Sequence, residues 1–394
     1  MKNFVRKPFL AIMALIFVVA AIVYIESQKP KSIGEAGNQQ TAQKIGSKTS
    51  ISGNKQDTES IKIQKIIDGK ISKYPKAPNF KIIENWINSE PLNIEDLNGK
   101  VVLVDFWTYT CINCIRTLPY LKSWDEKYRD KGLVIVGVHT PEFNFERKYE
   151  NVLKAVTDYK IKYPVAQDNG YATWNAYQNR YWPHKYLVDI DGFIVYDHIG
   201  EGDYMEIEEM IQKLLEERME RLNEKKNVSS EIVKPEGAID VSSINVGTPE
   251  IYFGHQFDRG NLGYDGLKPD AVLDFKFPAN PSKNYVYLDG KWKYNSDNME
   301  LIGDDGSIML IYRAKNVNVV AGSDNGSGAV VFLDNDFEND KNKGNDVVIS
   351  QNKSMAKINE FKLYNLVSGD DYETHVVQID VIGEGFKIYT FTFG

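Results

Sequence analysis

The chain has 394 residues with 55 acidic against 47 basic side chains, a formal charge of −8. That balance argues against a nucleic-acid partner, and no basic stripe with interleaved aromatics reverses it. Only two cysteines are present, so no framework of structural disulfides exists and a chain long enough for two domains must rest on ordinary apolar cores.

Met1 to Lys7 carries Lys2, Arg6 and Lys7, and residues 9–25 carry no charge. A basic flank before an apolar run of this length reads as an uncleaved signal-anchor over residues 1–26, since no small-x-small cleavage site or lipobox cysteine follows. The flank places the short N-terminus in the cytoplasm and the remainder outside. Residues 27–74 shift to Lys, Gln, Ser, Gly and Glu, too poor in large apolar side chains to offset ordering entropy, and are expected to be a flexible tether.

A first folded domain is expected over residues 75–227. Residues 77–80 and 86–97 suggest a strand pair. Residues 101–106 form a continuous apolar, β-branched run, the pattern of a strand buried on both faces. After it, Leu118, Leu121, Trp124 and Tyr128 recur at helical spacing. Both cysteines, Cys111 and Cys114, fall at this strand-to-helix junction, with Thr110 as the expected N-cap.

A sulfur in the first helical turn faces unpaired N–H groups and the positive end of the macrodipole, which favours thiolate. Cys111 is therefore the expected nucleophile, and Cys114, one turn on along the same face, the resolving thiol. A lone CxxC also occurs in zinc sites, but no second CxxC or HxxxH follows. A structural bridge closing so short a loop would constrain the unfolded chain little. The motif thus reads as a redox-active pair needing neither metal nor cofactor. Asp105 lies within the apolar strand, where a carboxyl is costly to bury unless its raised pKa is used; the alternative is an Asp solvated at the sheet edge.

Further along, a strand is expected at 133–138, a helix at 143–159, a short strand at 163–166 and two strands at 184–190 and 193–199 around the Asp191–Gly192 turn. A helix over 204–226 closes the domain, with Ile207, Ile211, Leu214 and Leu215 on its apolar face. Residues 228–247, polar with Pro235 and Gly237, read as a linker. In residues 248–394, turn signals at Asp289–Gly290, Asp304 to Gly306, Asp324 to Gly326, Lys343–Gly344, Ser368–Gly369 and Gly383 separate short β-rich runs, which predicts an antiparallel β-sandwich. Trp292, Tyr294, Tyr312 and Tyr364 are candidates for an aromatic glycan platform, although aromatics at strand positions are usually core. The acidic loop 334–340 lacks the glycine of an EF-hand and is expected to be solvated.

The run Val102-Leu103-Val104-Asp105-Phe106-Trp107 resembles the active-site strand of the thioredoxin superfamily, with Pro119 at the position of its helix-kinking proline. The resemblance implies that Asp105 assists proton transfer at Cys114. It also implies that Tyr181-Trp182-Pro183-His184 carries a cis-proline facing the cysteines. The strand order with its insertion is similar to TlpA and peroxiredoxin relatives. His139 to Phe143, Tyr163 to Asn169, Thr173 to Tyr177 and Tyr389 to Gly394 resemble the periplasmic part of DipZ-type proteins, so the likeness covers about residues 75–394.

What it implies is an α/β thioredoxin-like domain, a central mixed sheet flanked by helices, followed by an all-β jelly-roll sandwich similar to carbohydrate-binding modules. Trp107, Trp182, Pro183 and Glu142 are the expected substrate-binding residues, Glu142 standing where TlpA-like proteins keep a carboxylate. His139 and Arg116 are weaker candidates, Arg116 being expected to point to solvent. DipZ-type chains carry a multi-span electron-transfer domain, and here one span is expected. Electrons would then come from a separate membrane donor of the CcdA type. The expected function is a membrane-anchored, extracytoplasmic thiol-disulfide oxidoreductase acting on disulfide-containing exported proteins, c-type cytochrome maturation among its roles. The rivals are a cell-surface binding protein whose β-sandwich takes a glycan, and a thiol peroxidase, for which Thr108 matches only by spacing.

Overall fold

The computed structural model of the protein describes residues 55–225, 227–239 and 245–394. The expected signal-anchor lies outside them, and among the described residues no helix is long and apolar enough to cross a membrane. The α/β part comprises α1 (Lys55–Ile71), β1 (Asn85–Ile87), β2 (Val101–Trp107), α2 (Ile112–Tyr128), β3 (Leu133–His139), α3 (Tyr149–Asp158), β4 (Val165–Gln167), α4 (Ala172–Ala176), β5 (His184–Val188), β6 (Ile194–Ile199) and α5 (Tyr204–Arg221).

Its sheet has the order β1-β4-β3-β2-β5-β6. Strands β2, β3 and β4 run parallel, and β5 and β6 add antiparallel. This mixed sheet flanked by helices is the thioredoxin-like fold. Every residue of β2 is buried, and the strand's alternation divides them between two cores. Val102, Val104 and Phe106 pack with Trp174, Tyr177 and Tyr186. Leu103 and Trp107 face the opposite side, with Leu118, Leu121 and Trp124 of α2 and Ile211 of α5. Asp105 shares the parity of Leu103 and Trp107, so it lies on the face that α2 covers.

Several expectations differ. Residues 55–71, inside the segment read as a flexible tether, form α1. Ile63, Ile66, Ile67 and Lys70 recur at i, i+3, i+4 and i+7 and are its half-buried positions, and the Lys70 ammonium sits 2.8 Å from Asp189 and 2.6 Å from Glu217. The strand pair reduces to β1 alone, with a single 3-10 turn at Glu95–Leu97. The helix expected over 143–159 breaks into a 3-10 turn, Asn144–Arg147, and α3, separated by extended Lys148. The closing helix stops at Arg221, ahead of Asn223 in the left-handed region.

The C-terminal part is all β: β7 (Ile251–Tyr252), β8 (Val272–Phe275), β9 (Val286–Tyr294), β10 (Met299–Leu301), β11 (Asp305–Arg313), β12 (Asn316–Ser323), β13 (Ser327–Leu333), β14 (Asp336–Phe337), β15 (Val347–Ser350), β16 (Lys353–Ile358), β17 (Lys362–Ser368), β18 (Thr374–Ile382) and β19 (Phe386–Phe393). The main path runs β15-β16-β13-β18-β11-β9-β10-β19-β12-β17. Asp289–Gly290, read as a turn, is instead a bend inside β9. The strand pairs β11 before Gly290 and β10 after it, and Gly290 supplies the positive φ of +99° that lets one strand serve both neighbours. Trp292, Tyr294, Tyr312 and Tyr364 are at most 3% exposed and belong to the core. They form no exposed platform, because inward strand positions are where large aromatics gain most from burial.

Residues 59–394 form one compact unit. Tyr252, Val320 and Tyr389 of the β part join the same apolar cluster as α2, α5 and β2.

Candidate redox site

Helix α2 begins at Ile112, and Cys111 itself is its N-cap: the Cys111 sulfur accepts the N–H of Cys114 at 3.4 Å. Thr110, expected in that role, instead donates its hydroxyl to Glu146 at 2.6 Å. The first turn of α2 thus points a backbone N–H at the Cys111 sulfur. Both thiols are free; Cys111 is half-buried, whereas Cys114 is 1% exposed. Burial, followed by its hydrogen bond to Cys111, pushes the Cys114 thiol well above its usual range. The pair therefore divides into an accessible sulfur and a protected one.

Asp105 is 1% exposed in the middle of β2, and its Oδ1 makes no hydrogen bond. Burial raises its carboxyl to about 7, against the opposing pull of the Lys185 ammonium. Lys185 is the β5 residue directly opposite Asp105. It is equally buried, donates to the Gly200 carbonyl at 2.9 Å, and is pushed down by burial against the charges of Asp105 and Cys114. The solvated edge position considered for Asp105 is thus not occupied.

Above the cysteines lies a cleft of about 500 Å³ whose walls include Cys111, Glu142 and Trp182 from the α/β part and Glu250, Tyr252 and Arg259 from the β part. The Trp182–Pro183 peptide is cis. Trp182 is held by a 3.1 Å hydrogen bond from its indole N–H to the Thr140 carbonyl and by packing on Trp174 at 4.3 Å, while Pro183 is buried behind it.

Trp107, expected to touch substrate, is fully buried, its ring edge against His139, because strand alternation turns it under α2 and away from the cleft. Arg116, expected in solvent, is 7% exposed. It donates to both carboxylate oxygens of Glu201 at 2.8 Å and to Asn113 at 2.7 Å. His139 is buried and its imidazole is held down to about 3 by burial, so it is neutral across physiological pH. Among the described residues, Asp371, Glu373 and His375 bring ligand atoms within 4.8 Å of one another, but His375 Nδ1 is engaged by Asp334 at 2.7 Å. In the loop expected to be solvated, Glu338 is only 3% exposed and both its carboxylate oxygens lack partners.

A CxxC just after a central parallel strand, with the inner sulfur within electrostatic reach of a buried carboxyl and with Trp182, the residue before a cis-proline, lining the same cleft as the outer one, defines a thioredoxin-fold thiol-disulfide oxidoreductase. The chain belongs to that family: residues 74–213 match the Redoxin family and residues 248–394 match the Thioredoxin like C-terminal domain. It is 33% identical over 323 residues to Protein DipZ of Mycobacterium tuberculosis, which covers 81% of this chain and 43% of DipZ. The chain thus spans less than half the length of that relative. It is also 31% identical over 139 residues to the thiol-disulfide oxidoreductase ResA of Bacillus cereus, covering 35% of this chain and 76% of ResA. Among solved structures, a thiol:disulfide interchange protein DsbE from Chlorobium tepidum aligns at 26% identity and a TM-score of 0.33, over 36% of this chain and 97% of that one.

Proposed function

We propose that the protein reduces disulfides of exported proteins from the outer face of a membrane, through Cys111 and Cys114. The observation that carries this reading is the division of the pair: Cys111 caps α2 at the edge of the cleft, and Cys114 is buried on the face of the sheet that holds Asp105. The Cys111 thiolate attacks one sulfur of the substrate disulfide; a Cys111–substrate bond forms, the substrate S–S bond breaks and one substrate thiolate leaves. Cys114 gives its proton to the Asp105 carboxylate and attacks the Cys111 sulfur. The Cys111–Cys114 disulfide forms, the second substrate thiol departs, and two electrons have passed to the substrate. A carboxyl poised near 7 suits that proton transfer, since it is half-ionised at the working pH. Trp182 walls the groove for the substrate chain, with the cis Pro183 buried behind it.

The basic flank and apolar run of residues 1–26 support a single-pass anchor, and we assign the re-reduction of the Cys111–Cys114 disulfide to a CcdA-type membrane donor. The β part is read as a jelly-roll. A function confined to glycan binding there is less well supported, because the aromatics that suggested it are core residues. Equilibrating the full-length chain with glutathione and dithiothreitol buffers tests the direction. A potential near about −270 mV is expected of a reductant. One near about −120 mV would make the protein an oxidant of its partners and end this reading.

A further inference from the structure

The cleft holds a carboxyl–hydroxyl–carboxyl contact that thiol exchange by the cysteines does not itself use. The Tyr252 Oη lies 2.8 Å from Glu142 Oε1 and 2.9 Å from Glu250 Oε2. A tyrosine hydroxyl has one hydrogen to donate. It can satisfy one carboxylate only, and at the other contact two oxygen lone pairs would face each other unless that carboxyl carries a proton and donates it. Two carboxyls and one phenol at these distances therefore share an extra proton.

The surroundings place it. Arg259 reaches Glu250 Oε2 at 3.7 Å and lies 4.5 Å over the Tyr252 ring, which favours Glu250 as the ionised member. Glu142 faces Glu250 across the hydroxyl, Glu146 from the 3-10 turn and Tyr171 ahead of α4, with Arg259 the cation set against them. Burial, followed by the charges of Glu250 and Glu146, lifts Glu142 to about 8. The order is then Glu142 O–H donating to Tyr252 Oη, and Tyr252 O–H donating to Glu250. Arg116, Arg180 and Glu201 also border the cleft, Arg116 being committed to Glu201.

We propose that Glu142, Tyr252 and Glu250 form a proton relay, built across the α/β and β parts, that protonates the alkyl thiolate leaving a substrate disulfide at Cys111. This rests on the reading of Cys111 as the nucleophile. As the substrate S–S bond breaks, the departing sulfur takes the Glu142 proton, the Tyr252 hydrogen moves onto Glu142, and a solvent proton taken up by Glu250 passes to the Tyr252 oxygen, leaving Glu250 ionised as before. An alkyl thiol, with a pKa of about 8.5, gains from this donation at neutral pH. An acidic aromatic thiol does not.

The test compares single-turnover oxidation of the reduced full-length chain by two anionic probes, oxidised glutathione and 5,5′-dithiobis(2-nitrobenzoate). Tyr252→Phe and Glu250→Gln are each expected to slow the glutathione reaction about tenfold at pH 7, and to leave the aromatic disulfide within about twofold of wild type. The glutathione defect should close as pH rises past the Glu142 range near 8. Equal slowing with both probes, or no slowing with glutathione, in either variant would overturn the relay. Cys111→Ser separates the two levels: if it still reacts with either probe through Cys114, the reading of Cys111 fails whatever the relay variants do.

Discussion

Lys185 stands directly across from Asp105 in the register of β2 and β5, and each is 1% exposed. Cys114 is close enough for its charge and that of Asp105 to act on each other. An acid, a base and a thiol are thus enclosed together beneath the half-buried Cys111, and the first two predictions concern how they share protons.

The Asp105 carboxyl titrates near about 3.9 in the unfolded chain and is raised to about 7 in the folded one. Between those values the folded state binds more protons, so this group lowers stability as pH rises and exacts its full cost above pH 7. Asp105→Asn should therefore gain stability relative to wild type between pH 4 and pH 8, by on the order of 4 kcal/mol at most. Meanwhile the attack of Cys114 on a mixed disulfide should slow about 100-fold at neutral pH. Urea unfolding at the two pH values and rapid-quench kinetics check this; a gap that does not widen with pH would remove Asp105 as the titrating group.

Lys185 touches no reacting sulfur in this account and acts by holding Asp105 down. Lys185→Gln should move the midpoint of the Cys114 resolution rate up by about one pH unit, slow at pH 6.5 and restored at pH 9. A merely structural lysine would lower the rate at every pH without moving the midpoint, so the full profile decides.

These relationships show where the sequence was readable. Cys111, Cys114 and Asp105 are legible because their meaning is local, a strand and a first helical turn, whereas the cis-proline at Pro183 follows from the resemblance of its motif and not from local pattern. Lys185 is not, since only the β2–β5 register brings it to Asp105. Arg116 reads as solvent-facing because its partner Glu201 lies 85 positions away. Trp107 reads as a substrate contact from its neighbours in sequence, although its parity with Asp105 puts it on the covered face. The tether hid α1 because average composition masked the spacing of Ile63, Ile66, Ile67 and Lys70. Glu250, Tyr252 and Arg259 lie beyond the segment read as a linker, and packing between the two parts leaves no periodic trace in either.

That packing supports the last prediction. Phe145 meets Tyr389 edge-on at 4.7 Å and Phe361 at 5.3 Å, and Phe143 meets Tyr389 at 5.1 Å and Phe257 at 5.9 Å. Phe143 and Phe145 come from the α/β part, the other three from the β part, and Phe143, Phe145 and Tyr389 are at most 5% exposed. A seam of buried aromatics continuous with the cluster beneath α2 gives neither part a stable surface alone, so calorimetry should show one unfolding transition for residues 59–394. Phe145→Ala should cost about 3–5 kcal/mol, and its effect should be coupled to that of Tyr389→Ala by about 1 kcal/mol in a double-mutant cycle. Two separate transitions in the wild-type protein, or strict additivity in the cycle, would mean that the seam is only a contact. The proton-sharing trio of Glu142, Tyr252 and Glu250 would then lack the rigid support that its 2.8 and 2.9 Å spacings require.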